Sequence, residues 1–235
     1  MTKILRESAK LAAVVLAAVL LSIVITDSGW LRLLGQKSAV RFGNLPIPTL
    51  PIRYDDAHVE GNRDARVAVI VFSDFECPQC AVFATKSLPE LRKEYIQGGR
   101  IALVFHHFPI ERLHPMAVRA AVAADCAARA GGFWQMHDLL FRRSGHLTEQ
   151  YLADTSSNPG VPGDSPLSCP TAEVETMIRR QLAEARSLQV VATPTFFVGL
   201  NTKDGVIVRH RGSGPSLQPL IGMIDATLSV SGSAR

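Results

Sequence analysis

The chain lacks a strong charge imbalance: 25 Lys and Arg stand against 21 Asp and Glu, a formal net charge of +4 over 235 residues. Half of that excess lies in the first 35 residues, where Lys3, Arg6, Lys10 and Arg32 face Glu7 and Asp27. The net +2 left on residues 36 to 235 is too small and too scattered for a nucleic-acid partner. No internal repeat is visible, which excludes solenoid and propeller architectures. Cysteine is scarce, with four residues at Cys77, Cys80, Cys126 and Cys169. There is one CxxC, no second one and no HxxxH, so the usual spacings of a metal site are missing. His106-His107 end an apolar run while His114, His137 and His146 are scattered. They do not converge by spacing and read as satisfied surface or core residues. Neither a metal nor a cofactor is expected. With 47% apolar residues, the length supports one domain with a sizeable core plus an appendage.

A long apolar run occurs at one place. Leu11 to Ile25 is interrupted only by Ser22, follows Lys3, Arg6 and Lys10, and ends at Thr26 and Asp27. This is the pattern of an export element. As a helix it would span roughly 22 Å, short of the hydrocarbon core, which leaves signal peptide and signal anchor both open. Thr26-Asp27-Ser28 is a poor cleavage site, and Trp30, Leu31, Leu33 and Leu34 continue the interfacial character. An uncleaved anchor in the inner membrane through residues 11–25 is favoured over a cleaved secreted protein, and a buried helix of the main domain is the blander reading. Either export route places the cysteines in a periplasmic or other extracytoplasmic compartment where disulfides persist.

Residues 36–60 carry no sustained period and are broken by Gly43, Pro46, Pro48 and Pro51, as expected of a tether. Val67 to Phe72 is a continuous, β-branched apolar run, the signature of a strand buried on both faces. Ala81 to Tyr95 is helical in pattern with a kink expected at Pro89, Gly98-Gly99 stop it, and Arg100 to Phe105 is a second strand. The alanine-rich stretch after Pro115 and the segment Phe133 to Phe141 read as helices, as do a short one capped by Thr148 and one from Ala172 capped by Thr171. Asp154 to Pro170, rich in Ser, Pro, Gly and Asp, reads as a loop. Thr195 to Val198 and Val206 to Arg211 are candidate strands, followed by a helix with Leu217, Leu220, Ile221, Ile224 and Leu228 on one stripe. The fold class is α/β, a βαβ half and a ββα half separated by a helical insertion over about 113–187.

Cys77-Pro78-Gln79-Cys80 follows a buried strand and opens a helix. The unpaired N–H groups and positive end of that helix stabilise a thiolate on Cys77, and the thiolate is the species that attacks a disulfide. Cys80, one turn further in, is placed to act as the resolving thiol. A static structural disulfide and half of a metal site are the blander readings. Pro194, in Val191 to Gly199, belongs at the first residue of a strand, with either a plain turn before an edge strand or a cis bond open to it.

The run Phe72 to Cys80, with Gly61-Asn62-Arg63-Asp64-Ala65 upstream, resembles the active-site opening of DsbA-like thioredoxin-fold proteins. Phe108-Pro109, His114-Pro115, Gly132-Phe133-Trp134, His137 to Phe141 and Thr193 to Phe197 extend the resemblance, in order, over about residues 60 to 229. It implies a thioredoxin fold with an inserted helical subdomain over 61–231. A cis Thr193-Pro194 bond would face the CxxC disulfide, Thr193 would offer its backbone to substrate, and Pro78, Gln79 and Thr193 would tune the potential. It also implies an oxidase of reduced secreted proteins, recharged by a quinone-linked membrane partner. One departure is Val71, where several relatives carry a buried acid. Asp74 or Glu76 is then a candidate for assisting proton transfer from Cys80.

Reduction or isomerisation is the first alternative, although residues 36 to 64 are too short for the dimerisation domain that isomerases of this kind commonly carry. A thioredoxin-like binding module or metallochaperone, which would tolerate loss of Cys80, is another. Glutathione-transferase-like relatives usually lack the second cysteine. Cys126 shares a helical face with Val118 and Val122 and could be a small buried hydrophobe. Cys169 sits in a polar loop where an exposed thiol is a liability, so the two are expected to pair as a structural disulfide.

Overall fold

The computed structural model describes residues 46–155 and 169–232. The expected export segment, 1–35, residues 36–45 of the tether and residues 156–168 of the Ser-Pro-Gly loop lie outside these residues. Among the described residues no helix is long and apolar enough to cross a membrane.

Five strands form one sheet: β1 (His58–Gly61), β2 (Val67–Ser73), β3 (Ile101–His107), β4 (Thr195–Thr202) and β5 (Gly205–Ser213), in the order β1-β3-β2-β4-β5. β2 and β3 pair in parallel and the other neighbours are antiparallel. The parallel pair needs a helical crossover. It is supplied by α1, which runs without a break through Pro78–Val82, Phe83–Ser87, Leu88–Leu91 and Arg92–Ile96. Pro89 does not end this helix. Just before it, over Phe83–Ser87, the helix widens into a π turn in which the Leu88 N–H reaches back to the Phe83 carbonyl. A wider turn relieves the clash that a proline ring makes with the preceding turn.

Between β3 and β4 lies the insertion: α2 (Ala117–Ala128), α3 (Phe133–Arg142), α4 (Glu149–Thr155) and α5 (Thr171–Ser187); α6 (Leu217–Gly232) closes the fold. Strand periodicity sorts the core into two layers. Val67, Val69, Val71, Leu103, Phe105, Phe196 and Val198 face a cluster with Leu88, Leu91, Phe133, Leu140 and Ile224. Ala68, Ile70, Phe72, Val104 and Phe197 face Ile52, Ala185, Val190 and Val206. β2 is buried along its whole length, which is why its sequence does not alternate. At Gly199, where the register of β4 against β5 shifts, an added Cβ would collide with the Ile207 carbonyl.

Three expectations need correction. The stretch read as tether over 36–60 joins the domain before its end: Ile52 is 2% exposed and exchanges two backbone hydrogen bonds with Val206, and β1 begins at His58. A four-residue edge strand is too short to show a period. Thr171 is the first residue of α5 rather than its cap, and no side chain caps that end. β4 lies inside the sheet, so the edge-strand reading of Pro194 falls; the proline precedes Thr195 and forfeits no ladder bond. Thr148 does cap α4, accepting the Tyr151 N–H at 3.1 Å.

Cys126 of α2 and Cys169 before α5 are bridged, with Cα atoms 5.6 Å apart and a sequence separation of 43. The bridge ties α2 to the start of α5 within the insertion. In the chain-entropy account its loss is worth about 4 kcal/mol. Denaturant unfolding of the Cys126→Ala/Cys169→Ala protein is expected to show a loss of that order, and a loss under about 1 kcal/mol would assign the bridge no role in constraining the unfolded chain.

Candidate active site

β2 ends at Ser73, and the chain turns through Asp74-Phe75-Glu76 into α1. The Cys77 N–H closes this turn on the Asp74 carbonyl at 3.1 Å. Asp74 is 1% exposed, and its carboxylate accepts the N–H groups of Glu76 at 2.8 Å and Ile110 at 2.7 Å and lies 2.7 Å from His114 Nδ1. Glu76 accepts the Met116 N–H. These two acids therefore bolt the loop between β3 and α2 onto the active-site turn. Both Asp74 oxygens and one Glu76 oxygen are engaged in this way. Phe108-Pro109 and His114-Pro115 are visible as motifs, but their job of presenting this loop to Asp74 is not. Val71 is buried among apolar neighbours, so it brings no charge beneath the cysteines.

Cys77 occupies the cap position of α1 in extended conformation, with Pro78 at the first helical residue, where its missing N–H costs nothing. Both cysteines are unbridged thiols; Cys80 is fully buried and Cys77 is 7% exposed. The Cys77 Sγ lies 3.5 Å from the carbonyl oxygen of Thr193, and the Thr193-Pro194 bond is cis. Four residues from two distant segments, Cys77, Cys80, Thr193 and Pro194, are thus brought into one place by the β2-β4 pairing.

The two thiols titrate in opposite directions. Cys77 is lowered to about 5, first by a hydrogen bond from the Cys80 thiol, while burial opposes the shift and Thr193 and the N–H groups of Cys80 and Gln79 add to it. The helix end that the sequence points to is therefore the lesser contribution, and Cys77 makes no formal cap bond. Cys80 is pushed well above the ordinary thiol value, by burial first and then by the negative charge and hydrogen bond of Cys77, with Ser73 opposing. The Thr193 hydroxyl is buried and belongs to the same residue whose carbonyl oxygen touches the sulfur. Reduced protein exposed to iodoacetamide at about pH 6 is expected to label at Cys77 and not at Cys80. Peptide mapping checks this, and preferential labelling of Cys80 would reverse the order of the pair.

A family model described as thioredoxin matches residues 54–206. The chain belongs to the thioredoxin family. Its fold is similar to that of α-DsbA1 from Wolbachia pipientis, with a TM-score of 0.66 at 20% identity, over 77% of this chain and 94% of that one. It is also similar to BdbD from Bacillus subtilis, with a TM-score of 0.61 at 21% identity over 77% and 96% of the two chains. The catalytic domain of Proteus mirabilis ScsC gives 0.60 at 19%, over 74% and 89%. Among curated relatives, a protein named Na(+)/H(+) antiporter NhaA 1 from Mycolicibacterium gilvum is 33% identical over 165 residues, 69% of this chain and 25% of that protein. One named Na(+)/H(+) antiporter NhaA from Herminiimonas arsenicoxydans is 33% identical over 187 residues, 77% and 29%. The chain spans about a quarter of the length of these relatives.

The thioredoxin fold brings together one group that spacing does not show. His107, read from the sequence as the end of an apolar run with no partner by spacing, is brought beside His58 and Asp125 by the pairing of β1 with β3 and the packing of α2. Asp125 is held well below the usual carboxylate range; burial works against this, and His107 and His58 outweigh it. His114, His137 and His146 stay apart from that group.

Proposed function

We propose that this chain is an exported thiol-disulfide oxidoreductase that forms disulfides in secreted proteins through Cys77 and Cys80. The observation that supports it is the opposed titration of one cysteine pair beside Thr193 and Pro194. A substrate thiolate attacks Cys77 in the Cys77-Cys80 disulfide, the sulfur-sulfur bond breaks, and Cys80 leaves and takes up a proton, as its raised affinity for protons favours. A second substrate thiolate then attacks the substrate sulfur of the mixed disulfide. Cys77 departs as a stabilised thiolate, the substrate is oxidised by two electrons and the enzyme holds them.

A low thiol pKa stabilises the reduced enzyme and so makes its disulfide oxidising. That favours oxidation over reduction or isomerisation. A membrane redox partner must then remove the electrons, and an anchor at residues 11–25 would keep the domain beside it. Pro78, Gln79 and Thr193 set the potential by what they place near the Cys77 sulfur. Val82, Leu113 and Val191, at 44%, 63% and 71% exposure, lie on the three segments that converge on Cys77 and suit an unfolded polypeptide.

Equilibration with glutathione tests the direction. A potential above about −200 mV is expected of an oxidase in this compartment, and one below about −250 mV would assign the chain to reduction.

A further inference from the structure

We propose that His58, His107 and Asp125 form a Zn²⁺ site on the flank of the domain, separate from the cysteine pair. The three side chains come from β1, β3 and α2, and one ligand atom from each lies within 4.8 Å of the others. His58 Nε2 is 2.7 Å from Asp125 Oδ1, and His107 Nε2 is 2.6 Å from Asp125 Oδ2.

The second contact carries the argument. His107 Nε2 and Asp125 Oδ2 are both buried, and despite their closeness neither makes a hydrogen bond. At 2.6 Å distance is not the obstacle, so direction is: nitrogen and oxygen do not aim at one another. Two buried polar atoms left so cost free energy. A cation that accepts a lone pair from each satisfies both.

Two imidazoles and a carboxylate are a ligand set for zinc, at roughly 2.0 to 2.2 Å from the metal, with a fourth position left for water. The set contains no thiolate and so needs nothing from the redox pair. Water and ion can approach, since Asp125 borders a surface depression with Asp56 and Glu173, and His58 borders a second one with Trp134. Phe133 packs against both imidazoles: His58 stacks on it at 3.6 Å, and His107 meets it edge-on at 6.0 Å. Tetrahedral binding requires the two nitrogens to draw to about 3.3 Å and the 2.6 and 2.7 Å nitrogen-oxygen contacts to open to about the same value. His58, 18% exposed on an edge strand, has the most room to shift. The ion would clamp the sheet edge and the insertion onto β3, whose His107 pairs with Ser73 at the entrance to the active-site turn.

Zinc titration calorimetry on the full chain in its oxidised form tests this, because closing Cys77-Cys80 removes the competing thiolates. One Zn²⁺ per chain is expected. His58→Gln and Asp125→Asn should each weaken binding by more than about 100-fold, beyond the cost of losing an outer-shell partner. His146→Gln, an exposed histidine outside the group, should leave it unchanged. Circular dichroism establishes that each variant is folded. Should Asp125→Asn fail to fold, His58→Gln decides alone. Absence of zinc uptake by the oxidised wild type, or wild-type affinity in folded His58→Gln, overturns the proposal.

Discussion

Serine in place of Cys80 is expected to abolish turnover of a reduced peptide dithiol, a fall of roughly a thousandfold or more, and, when the variant is given a disulfide-bonded peptide instead, to leave Cys77 held in a mixed disulfide with it after thiolate attack on that disulfide. The reason is electron bookkeeping within the pair. Oxidation of a dithiol needs two sulfur atoms on the enzyme, one to bond with substrate and one to accept the other electron equivalent. Cys80 is fully buried behind Cys77 and its hydrogen bond is the first cause of the Cys77 thiolate. Its loss therefore removes the stored disulfide and weakens the nucleophile together. Cys77→Ser should be equally inactive yet form no mixed disulfide, since the remaining thiol is shielded and keeps its proton. Non-reducing electrophoresis and intact mass of both variants after exposure to the disulfide-bonded peptide separate these outcomes. Wild-type turnover in Cys80→Ser would overturn the paired-cysteine mechanism.

What the sequence made legible was local. The unalternating run Val67 to Phe72 announced a strand buried on both faces, and the CxxC after it announced a cysteine pair at a helix start, because both are features of adjacent residues. The edge strand His58–Gly61 carried no such signal: four residues, one of them a large aliphatic, fix no period. Asp74 looked like a candidate proton acceptor because sequence shows its distance along the chain from Cys80 and not the N–H groups of residues 76 and 110 that fill its oxygens. His58, His107 and Asp125 stand 49 and 18 residues apart in sequence and meet only through tertiary packing. The helix-dipole argument points to the cysteine whose thiol is lowered, although the Cys80 thiol three residues on is the first cause. The misses at β1, Asp74 and the His58-His107-Asp125 group concern partners supplied from far along the chain, whereas β2 is a pattern that a strand carries by itself.

The reduction potential is expected to fall by about 30 mV for each pH unit above about pH 5 and by about 59 mV below it. With Cys77 lowered to about 5, reduction in the upper range takes up two electrons and one proton, which goes to Cys80; below it Cys77 takes a second. Stability must follow the same protons. An unfolded thiol titrates near about 8.5, so between about pH 5 and 8.5 the unfolded reduced chain holds a proton on Cys77 that the folded one lacks. The contribution of Cys77 to the excess stability of reduced over oxidised protein therefore rises with pH by about 1.4 kcal/mol per unit through that window, is complete above it, and is gone below about pH 5. Cys80, shifted the other way, is protonated in folded and unfolded chains alike across the window and adds no slope. Glutathione equilibria measured from acid to neutral pH, with paired denaturant curves for the two redox forms, check both halves. A slope of about 59 mV throughout would mean that Cys77 is a thiol at neutral pH and would remove the basis for its role as nucleophile and leaving group. Thr193→Val deletes the buried hydroxyl beside the sulfur, and since Thr193 helps to lower Cys77, the change of slope should move to higher pH in that variant.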